Sequence, residues 1–433
     1  MMATRFLVLL GSFLLAGIST TTASESTQDA QLVVSWNETL LRTAEAEDGF
    51  LTLKGVRAAT MMHIAMHDAL ESIQNRFATY AYFESTPDAD PVAAVSQAAF
   101  AVAVDQYPDQ RDAFVELLGR SFAPDSTSPL QQAGTRLGNA AATAILKKRA
   151  GDGWDTEAEY RWHPMAPGVY AEFHEHSATP QGFIFGAGWG NATGFALDSA
   201  DQFRSPPPPE ISSDAYTEAF NEVKEVGRFQ SMLRSPDQTH IALWWKDFAE
   251  NSHNRLARDL AVRESLDLAA AARLFALVNM SIFDSYVSVF DNKFFYNHWR
   301  PYTAIRWAAN DGNADTFPEA TWTNTHRHTY AFPSYPSAHG TACAAAMSAF
   351  ANVFGDEYEL TMRTPTVDIA GPFSGKIEMH PPTRRFQRFS DAATECAMSR
   401  VYLGIHFRYD STEGVKLGRK VGNNVVGRFL TEK

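Results

Sequence analysis

Apolar residues recur at helical spacing along most of this 433-residue chain. Alanine is the strongest helix former, and a repeat of three or four residues places apolar side chains on one face of a helix. Strand signals are sparse, because alternating Val, Ile and Tyr is rare and no Asn-Gly turn joins two alternating segments. The pattern therefore predicts a mainly helical protein. The clearest periodic segments are Gly55–Ile73, Val92–Val104, Leu130–Ala150, Leu266–Phe290, Gly340–Phe354 and Asp391–Leu403.

A proline run interrupts the helical pattern near the middle of the chain. Ser205 is followed by the four prolines Pro206–Pro209, and proline cannot continue a helix because it lacks the backbone N–H. The preceding stretch Gly182–Phe195 is rich in glycine and aromatic residues, which predicts an irregular loop. We therefore predict an N-terminal helical region at 24–205 and a C-terminal helical region at 210–433.

The first 23 residues have the layout of a cleavable signal peptide. Arg5 precedes the apolar stretch Phe6–Ile18, and a Ser-Thr run then leads to Ala23. This apolar stretch is too short to span a bilayer, which needs about 20 residues. We expect residues 1–23 to be removed and the mature chain to be secreted or periplasmic.

The remaining sequence argues against two classes of partner. The most apolar later stretch, Leu268–Phe290, is interrupted by Arg273, Asn279 and Asp284, so we expect a soluble mature protein with no membrane span. The formal net charge is −13 and no basic stripe is present, whereas nucleic-acid binding needs clustered Lys and Arg. Nucleic acid is therefore excluded as a partner, and any anion site must be local.

The chain contains two cysteines, Cys343 and Cys396. Two cysteines do not make a disulfide scaffold, although an exported chain could join them. A disulfide and two buried free thiols are equally compatible with the sequence.

Three segments in the second half combine cations or hydroxyl groups with glycine, proline or histidine. Helix packing alone does not require such a combination, whereas a tetrahedral oxyanion needs several charge-assisted hydrogen-bond donors. One lysine and two arginines supply the countercharge of a bound vanadate or of a phosphoryl transition state. The segments are Lys293–Pro301, Pro333–Gly340 and Ser399–Asp410.

Spacing indicates how the first two segments present their donors. Lys293 and Arg300 are seven residues apart, which predicts that they project from one face of a helix that Pro301 ends or bends. In the second segment, an extended proline loop precedes a helix predicted at Ala342–Phe350. We expect the Ser337 hydroxyl and the Ala338 amide to donate to an anion at the start of this helix.

His339 would lie at the same helix start, and the third segment adds another histidine. Arg400 and His406 are predicted on adjacent faces of a helix or a helix end. Asp410 lies four residues after His406 and can orient its imidazole through one ring nitrogen. The other nitrogen would then face the anion in its neutral form.

These segments resemble the signature of the superfamily that unites vanadium-dependent haloperoxidases with type-2 phosphatidic acid phosphatases and bacterial acid phosphatases. That signature reads Lys-x6-Arg-Pro, Pro-Ser-x-x-Ser-Gly-His and Ser-Arg-x5-His-x3-Asp, and the chain departs from it only where Ala338 replaces glycine. Met61–Asp68, Phe195–Ser199 and Gln202–Pro206 further resemble the soluble, exported haloperoxidase-like branch. The resemblance implies an all-α fold, with helical bundles packed around a buried oxyanion (vanadate or phosphate) site.

The resemblance also implies residue roles for two kinds of enzyme. In a haloperoxidase, each chain would hold one vanadate, with His406 as the ligand to the metal. Hydrogen peroxide and chloride or bromide would be the substrates. Lys293 would polarise the peroxide, and His339 would act as acid and base. In a phosphatase, no cofactor is needed, His406 attacks a phosphomonoester to form a phosphohistidine, and His339 protonates the leaving alcohol. The oxyanion ligands common to both are Lys293, Arg300, Ser337, Ala338, Arg400 and His406.

Haloperoxidase is our first hypothesis, since the chain resembles the exported branch. A soluble exported acid phosphatase is the alternative, and a phosphate-binding protein without catalysis is a third possibility that the two retained histidines and Asp410 disfavour. A homodimer is compatible with either enzyme. Phe332 stands where chloroperoxidases of this family carry phenylalanine, although a core aromatic residue would look the same.

Four of the histidines outside the signature could bear on metal binding or on the mouth of the site. His63 and His67 are four residues apart on an apolar helix, but no third metal ligand matches them, so we interpret them as packed core residues. His326 and His328 precede the second motif and would lie near the mouth of the site. Their role is left open.

Overall fold

The computed structural model describes residues 21–49, 53–122, 127–171, 174–180, 182–372 and 374–433. The predicted signal peptide lies outside this part of the chain except for its last three residues, and export therefore stays a prediction. The helices are α1 (Thr21–Asp48), α2 (Leu53–Gln74), α3 (Pro91–Gln106), α4 (Arg111–Ser121), α5 (Pro129–Lys148), α6 (His174–Ser177), α7 (Asp214–Val226), α8 (Pro236–Trp244), α9 (Ala249–Arg263), α10 (Leu268–Tyr296), α11 (Pro301–Trp307), α12 (Ala338–Phe354), α13 (Phe389–Tyr402) and α14 (Arg408–Arg428).

The prediction of an all-α protein is confirmed, and two small sheets are added to it. Strand β1 (Glu357–Arg363) pairs antiparallel with β4 (Thr383–Arg388), and β2 (Thr366–Asp368) pairs antiparallel with β3 (Lys376–Glu378). The sequence analysis did not predict these strands. Strand β1 does alternate polar and apolar residues from Glu357 to Arg363, a signal that the sequence analysis missed, whereas its partner β4 is mostly polar and has one buried residue, Phe386.

Helix α10 is the central element of the core. Asp267 caps its N-terminus by accepting a hydrogen bond from the Ala270 N–H, and Asn297 ends it in the left-handed conformation. The helix packs against α2, α9, α12 and α14. It is long and apolar enough to cross a membrane, but 89% of its most apolar window is buried inside the protein. That burial is what the central helix of a globular core requires.

Helices from both sides of the proline run share one hydrophobic core. The largest cluster of buried apolar residues extends from Ala30 in α1 to Leu430 near the C-terminus. The run itself forms no helix or strand, and the Ser205 N–H donates to Asn292 Oδ1 on α10 at 2.9 Å. The hydrophobic core joins the two regions on either side of the proline run. The division of the chain into two domains at 205–210 therefore stays a prediction.

Helix α14 crosses α12 closely enough to fix the position of the loop before α12. A Cβ on Gly418 would lie 2.2 Å from the Thr341 carbonyl oxygen, and one on Gly414 would lie 2.7 Å from that of Ser337. Only glycine permits this approach of the two backbones. The Cys343–Cys396 disulfide joins α12 to α13 on another side, so the structure decides between the two possibilities for these cysteines.

One carboxylate on α10 holds the glycine-rich loop against the core. Asp284 accepts hydrogen bonds from the N–H groups of Phe195 at 2.6 Å, Ala196 at 2.7 Å and Leu197 at 3.1 Å. The carboxylate is fully buried, and its burial raises its pKa to about 6 in spite of the three donors. This contact fixes one end of a loop whose other residues reach the candidate site.

We expect Asp284→Ala to destabilise the fold strongly. Three buried amides would lose their acceptor, and each unsatisfied group costs about 1–3 kcal/mol, so the expected loss is at least about 3 kcal/mol. Asp291→Ala is the matched control on the same helix, since it removes only the partly exposed ion pair with Arg204, which contributes about 1 kcal/mol or less. Urea unfolding followed by tryptophan fluorescence measures both. Equal losses in the two variants would contradict the anchoring role of Asp284.

Candidate oxyanion-binding active site

Lys293 and Arg300 meet at one site, but they do so from two helices. The prediction of one continuous helical face is wrong, because α10 ends at Tyr296 and Arg300 is the extended residue before α11. Asn297 stops the first helix, its N–H bonding back to the Lys293 carbonyl, and Pro301 begins the next one. The turn between them directs both side chains toward the proline loop at 333–337.

Both cations hold that loop through its backbone carbonyls. Lys293 Nζ donates to the carbonyl oxygens of Pro333 at 2.9 Å and Ser334 at 2.7 Å. Arg300 Nε donates to the Phe332 carbonyl at 2.9 Å. Since the two side chains are fully buried, they fix the loop from the side of the core.

Asp410 positions the imidazole of His406. Its Oδ2 atom accepts from His406 Nδ1 at 2.9 Å, from the Phe407 N–H at 3.1 Å and, in a short hydrogen bond, from the Ser334 hydroxyl. His406 Nε2, on the other side of the ring, accepts a hydrogen bond from Arg300 Nη1 at 3.1 Å. The predicted role of Asp410 as the residue that orients His406 agrees with this geometry.

The start of α12 contributes the second group of donors. The predicted start at Ala342 is wrong, because the helix begins at Ala338 and Ser337 caps it by accepting from the Gly340 N–H at 3.3 Å. Gly340 had suggested that the helix starts after it, but the small residues around it permit one more helical turn, which begins at Ala338. The first amides of a helix have no acceptor within it, so those of Ala338 and His339 are available to an anion.

His339 and Arg400 complete the set. Arg400, near the end of α13, donates through Nη1 to the Trp245 carbonyl at 2.7 Å. Both residues line the same cavity as Ala338 and His406. The structure thus brings together all eight predicted site residues, which come from α10, the turn before α11, the start of α12, the end of α13 and the turn into α14.

Burial changes the protonation of these groups in a consistent direction. Desolvation, with a smaller contribution from neighbouring cations, lowers the pKa of His406 well below its ordinary value, and it does the same for His339. Burial lowers the pKa of Lys293 strongly and that of Arg300 and Arg400 to about 10 each. The imidazoles are therefore neutral near pH 7, whereas the two guanidinium groups keep their charge.

The residues fit a bound oxyanion such as vanadate or phosphate. Among the described residues, Arg300 Nη2, Arg400 Nε and His339 Nε2 are buried without a hydrogen-bond partner. Unsatisfied buried donors and uncompensated buried charge are both unfavourable. Of the carboxylates in the described part of the chain, Asp410 is the one in contact with this group, and burial raises its pKa to about 7, so positive charge is in excess. A tetrahedral anion would satisfy the open donors and the excess charge together.

A cavity of about 380 Å³ opens onto this centre. Its walls are mostly apolar and rich in aromatic side chains, and Phe332, whose ring centroid lies 4.7 Å from Arg300 Cζ and 5.2 Å from Lys293 Nζ, packs between the cavity and these two cations. His328 lines the cavity, whereas His326 is buried behind the wall without a hydrogen-bond partner in the part of the chain that the structure describes. His63 and His67 are fully buried in α2, as their interpretation as core residues predicts.

Sequence analysis missed the polar residues of the cavity. Glu250, Lys246 and Tyr286 line it together with the predicted residues. The Tyr286 hydroxyl donates to Glu250 Oε2 at 2.5 Å, and burial raises the pKa of Glu250 to about 7. A charged residue on or beside a short helix is usually solvated. Only Trp244 and Trp245, which precede Lys246, could have indicated that Lys246 and Glu250 are buried.

The comparisons with known proteins agree with this architecture. Residues 273–431 match the family model of the VCPO second helical-bundle domain. The vanadium chloroperoxidase of Curvularia inaequalis is 27% identical over an alignment 269 residues long, and the match covers 50% of this chain and 44% of that protein. The match thus spans less than half the length of this curated relative.

Solved structures show the same fold. The crystal structure of a bacterial vanadium-dependent iodoperoxidase has a TM-score of 0.75 and 22% identity, with 93% of this chain and 98% of that chain covered. The holo form of a bacterial vanadium-dependent chloroperoxidase has a TM-score of 0.66 and 16% identity, with 87% and 92% covered. At these identities the likeness concerns the fold.

Fold and site define a class: all-α proteins in which helices surround a buried centre of cationic and imidazole donors. The predicted resemblance to the vanadium-dependent haloperoxidases is confirmed, since residues 273–431 match the model of the VCPO second helical-bundle domain and the similar solved structures are bacterial vanadium-dependent haloperoxidases.

We expect orthovanadate and inorganic phosphate to stabilise the protein. A ligand that binds only the folded state at 100 times its Kd adds about 2.7 kcal/mol, which raises the midpoint of thermal unfolding. Arg400→Gln should remove most of this increase because it removes a buried donor and its charge. Arg120→Ala, at a side chain 70% exposed, is the control that should keep the increase. Differential scanning calorimetry measures each midpoint, and an equal increase in the Arg400 variant would contradict the site.

Glu250 should make the stability of the protein depend on pH. Its pKa is raised from 4.5 to about 7 in the folded state, chiefly by burial, with Asp247 and Glu45 adding to the effect. The stabilisation is therefore complete below about pH 4.5 and is lost as pH rises through about 7, a difference of about 3 kcal/mol. Glu250→Gln should remove this part of the decline.

Urea unfolding of the parent chain and of the Glu250→Gln variant at pH 5 and pH 8 measures the effect. Asp68, Asp284 and Asp410 also have raised pKa values. Their contributions to the free energy of unfolding fall by the same amount in both chains, so they cancel when the two chains are compared. The prediction does not hold if the two chains lose the same free energy of unfolding between these pH values.

Proposed function

We propose that this chain is a vanadium-dependent haloperoxidase, which oxidises a halide ion with hydrogen peroxide to hypohalous acid. The overall reaction consumes one proton and releases one water for each hypohalous acid. The observation that carries the proposal is a buried centre of excess positive charge and open donors at the floor of a largely apolar cavity. The names of the relatives, which include a chloroperoxidase and an iodoperoxidase, support the same activity.

The residues of this chain would divide the work as follows. Arg300, Arg400 and the first amides of α12 would bind the oxygens of vanadate, and His406 Nε2 would be the ligand to the metal. Bound vanadate supplies a Lewis acid that activates peroxide for two-electron oxidation of the halide. Asp410 keeps the proton of His406 on Nδ1, so that Nε2 offers its lone pair.

Two further groups act on protons and charge. His339 Nε2 is a buried ring nitrogen without a partner among the described residues, and a neutral imidazole can accept a proton from peroxide and return it later. Lys293 is held by two carbonyl oxygens, and a bound anion raises its pKa again by offsetting the cost of burial. The ammonium group then stabilises negative charge that develops on the peroxide oxygen.

The character of the cavity favours this function over that of a phosphatase. A phosphomonoester dianion is strongly hydrated, and moving it between aromatic rings leaves much of its charge unpaired. Hydrogen peroxide is uncharged, and a bromide or iodide ion carries a single charge on a large, weakly hydrated surface. One observation favours the alternative acid phosphatase, namely that neutral His406 presents an Nε2 lone pair suited to attack on phosphorus.

The proposed activity is tested on protein stripped with a chelator. Halogenation of phenol red with peroxide is followed for chloride, bromide and iodide, with and without orthovanadate, and p-nitrophenyl phosphate hydrolysis is run in parallel. We expect halogenation only after orthovanadate is added, and a loss of at least 100-fold in His406→Ala. His380→Ala, at a side chain 78% exposed, is the matched histidine control and should keep the activity.

Two results would decide against a haloperoxidase. Phosphate-ester hydrolysis that orthovanadate inhibits, in the absence of halogenation, would establish the phosphatase. Binding of orthovanadate without turnover of any substrate would establish an oxyanion-binding protein.

A further inference from the structure

The disulfide between Cys343 and Cys396 lies one helical turn from two residues of the oxyanion centre. Cys343 follows His339 by four residues on α12, and Cys396 precedes Arg400 by four residues on α13. Residues four apart in a helix lie on the same face, about one turn from each other. The disulfide and the pair of His339 and Arg400 therefore occupy neighbouring positions along one contact between the two helices.

Helices α12 and α13 run antiparallel along this contact. The rings of Phe350 and Phe389 stack at the far end, with their centroids 5.6 Å apart. The disulfide lies seven residues closer to the site on each helix, with a distance of 6.6 Å between its two Cα atoms. The same register continued by one more turn pairs His339 with Arg400, and both of these residues line the cavity at the oxyanion centre.

The sulfur atoms also lie close to the imidazole of His339. One ring nitrogen of His339 and the two sulfur atoms all lie within 4.8 Å of one another. Cys396 Sγ is 4.0 Å from the His339 carbonyl oxygen. His339 Nε2 has no hydrogen-bond partner among the described residues, so packing against the disulfide contributes to holding the ring in place.

Near the site the two helices meet through small side chains. A Cβ on Gly340 would lie 3.1 Å from the Cβ of Ala397, which is fully buried. Small side chains fill such a contact, but they do not form the deep ridges and grooves that prevent one helix from sliding on another. A covalent link between residues 343 and 396 removes that freedom beside the oxyanion centre.

The disulfide acts mainly on α13, because the close fit of α14 already holds α12. Arg400 Nη1 donates to the Trp245 carbonyl at 2.7 Å, while Arg400 Nε is buried without a partner in the described part of the chain. A shift of the last turn of α13 would move this guanidinium relative to the first amides of α12. Donors from two helices bind one anion well only when the helices keep a fixed distance.

We propose that the Cys343–Cys396 disulfide is a redox-dependent positioning link, which holds His339 and Arg400 at the spacing that binds an oxyanion, and that its reduction weakens this binding. A dithiol reductant supplies two electrons and two protons, so that the sulfur–sulfur bond breaks, two cysteine thiols form and the reductant becomes a disulfide. Hydrogen peroxide reverses the change, since it takes two electrons and two protons from the thiols and is reduced to two molecules of water. The link serves a haloperoxidase and a phosphatase alike, and only the choice of peroxide as the oxidant rests on the proposed function.

Burial makes the link respond slowly. Both cysteines are fully buried, and the chain has no third cysteine that could exchange with them. Thiol–disulfide exchange needs a thiolate in contact with one of the sulfur atoms, so the two helices must first separate locally. We therefore expect reduction to take minutes to hours.

Binding is tested first on the unaltered chain in its two redox states. The oxidised chain, and the chain reduced with dithiothreitol and then freed of it without oxygen, are titrated with inorganic phosphate by isothermal titration calorimetry. Phosphate replaces orthovanadate here because thiols reduce vanadate. We expect Kd to be about tenfold higher for the reduced chain, since charge-assisted hydrogen bonds depend steeply on geometry, and to return after one equivalent of hydrogen peroxide.

The outcomes separate this proposal from the proposed function. Equal Kd values for a chain whose two thiols have been counted and for the oxidised chain would overturn the positioning link and leave the oxyanion site intact. Thiols that peroxide does not convert to a disulfide would overturn it as well. If the oxidised chain binds neither phosphate nor orthovanadate, the oxyanion site itself fails, and the proposed function fails with it.

Variants separate positioning from a general loss of stability. The double variant Cys343→Ser/Cys396→Ser cannot form the link and should bind orthovanadate about tenfold more weakly than the oxidised chain. Leu137→Ala is the matched control, because this buried residue lies in α5, which packs on α2 and α3, and its loss also destabilises the fold. The control should keep the Kd for orthovanadate. Thermal unfolding checks that each chain is folded, and an unchanged Kd in the double variant, or an equal loss in the control, would refute the positioning role.

A double-mutant cycle tests whether the link acts through Arg400. Arg400→Lys keeps the positive charge but lacks the planar guanidinium, so binding of orthovanadate stays measurable. Removal of both cysteines should weaken binding about tenfold in the parent chain and no more than about threefold in the Arg400→Lys chain. A full tenfold loss in both chains would show that the disulfide does not position Arg400 and would overturn the proposal.

Discussion

The carboxylate of Asp410 is the contact on which the geometry of the site depends. It accepts hydrogen bonds from Ser334 in the proline loop, from His406 and from the Phe407 amide at the start of α14. The Asp410 carbonyl in turn accepts from the Ser337 N–H at 3.0 Å. One residue thus ties together the three chain segments that carry the Ser337 cap, the His406 imidazole and the first turn of α14. The fit of α14 against α12 through its glycines keeps these segments at that distance.

Burial of several cations around this carboxylate is unfavourable unless something offsets it. Desolvation lowers the pKa of Lys293, Arg300 and Arg400 and raises that of Asp410, so each charge is destabilised where it stands. The surrounding helices hold the groups in place against this electrostatic strain, and the buried helix α10 anchors Lys293. A bound oxyanion would relieve the strain by supplying negative charge and hydrogen-bond acceptors. The same arrangement that weakens the free protein therefore favours anion binding, which is how preorganised sites commonly act.

The sequence predicted the members of this centre better than it predicted their arrangement. The chemistry of the three motifs is local, so Lys293, Ser337 and His406 could be identified from residue type and spacing. The backbone between Lys293 and Arg300 could not, since seven residues at helical spacing do not reveal that Asn297 adopts a left-handed conformation. Glu250 and Tyr286 lie 36 residues apart in the sequence, and only the packing of α9 on α10 brings them together. Residues joined by tertiary packing alone leave no pattern in a single sequence.

The division of the site into a charged floor and an aromatic wall follows from the elements that build it. Cations and imidazoles come from helix ends and turns, where backbone amides and carbonyls are available to bond them. The aromatic wall comes from the loop at 182–189 and from the face of α10 that this loop covers, with Asp284 fixing the loop's far end. Phe332 belongs to both parts, because its carbonyl bonds Arg300 while its ring faces the cavity. The side chains of the wall can therefore vary without a change in the cations and imidazoles of the floor.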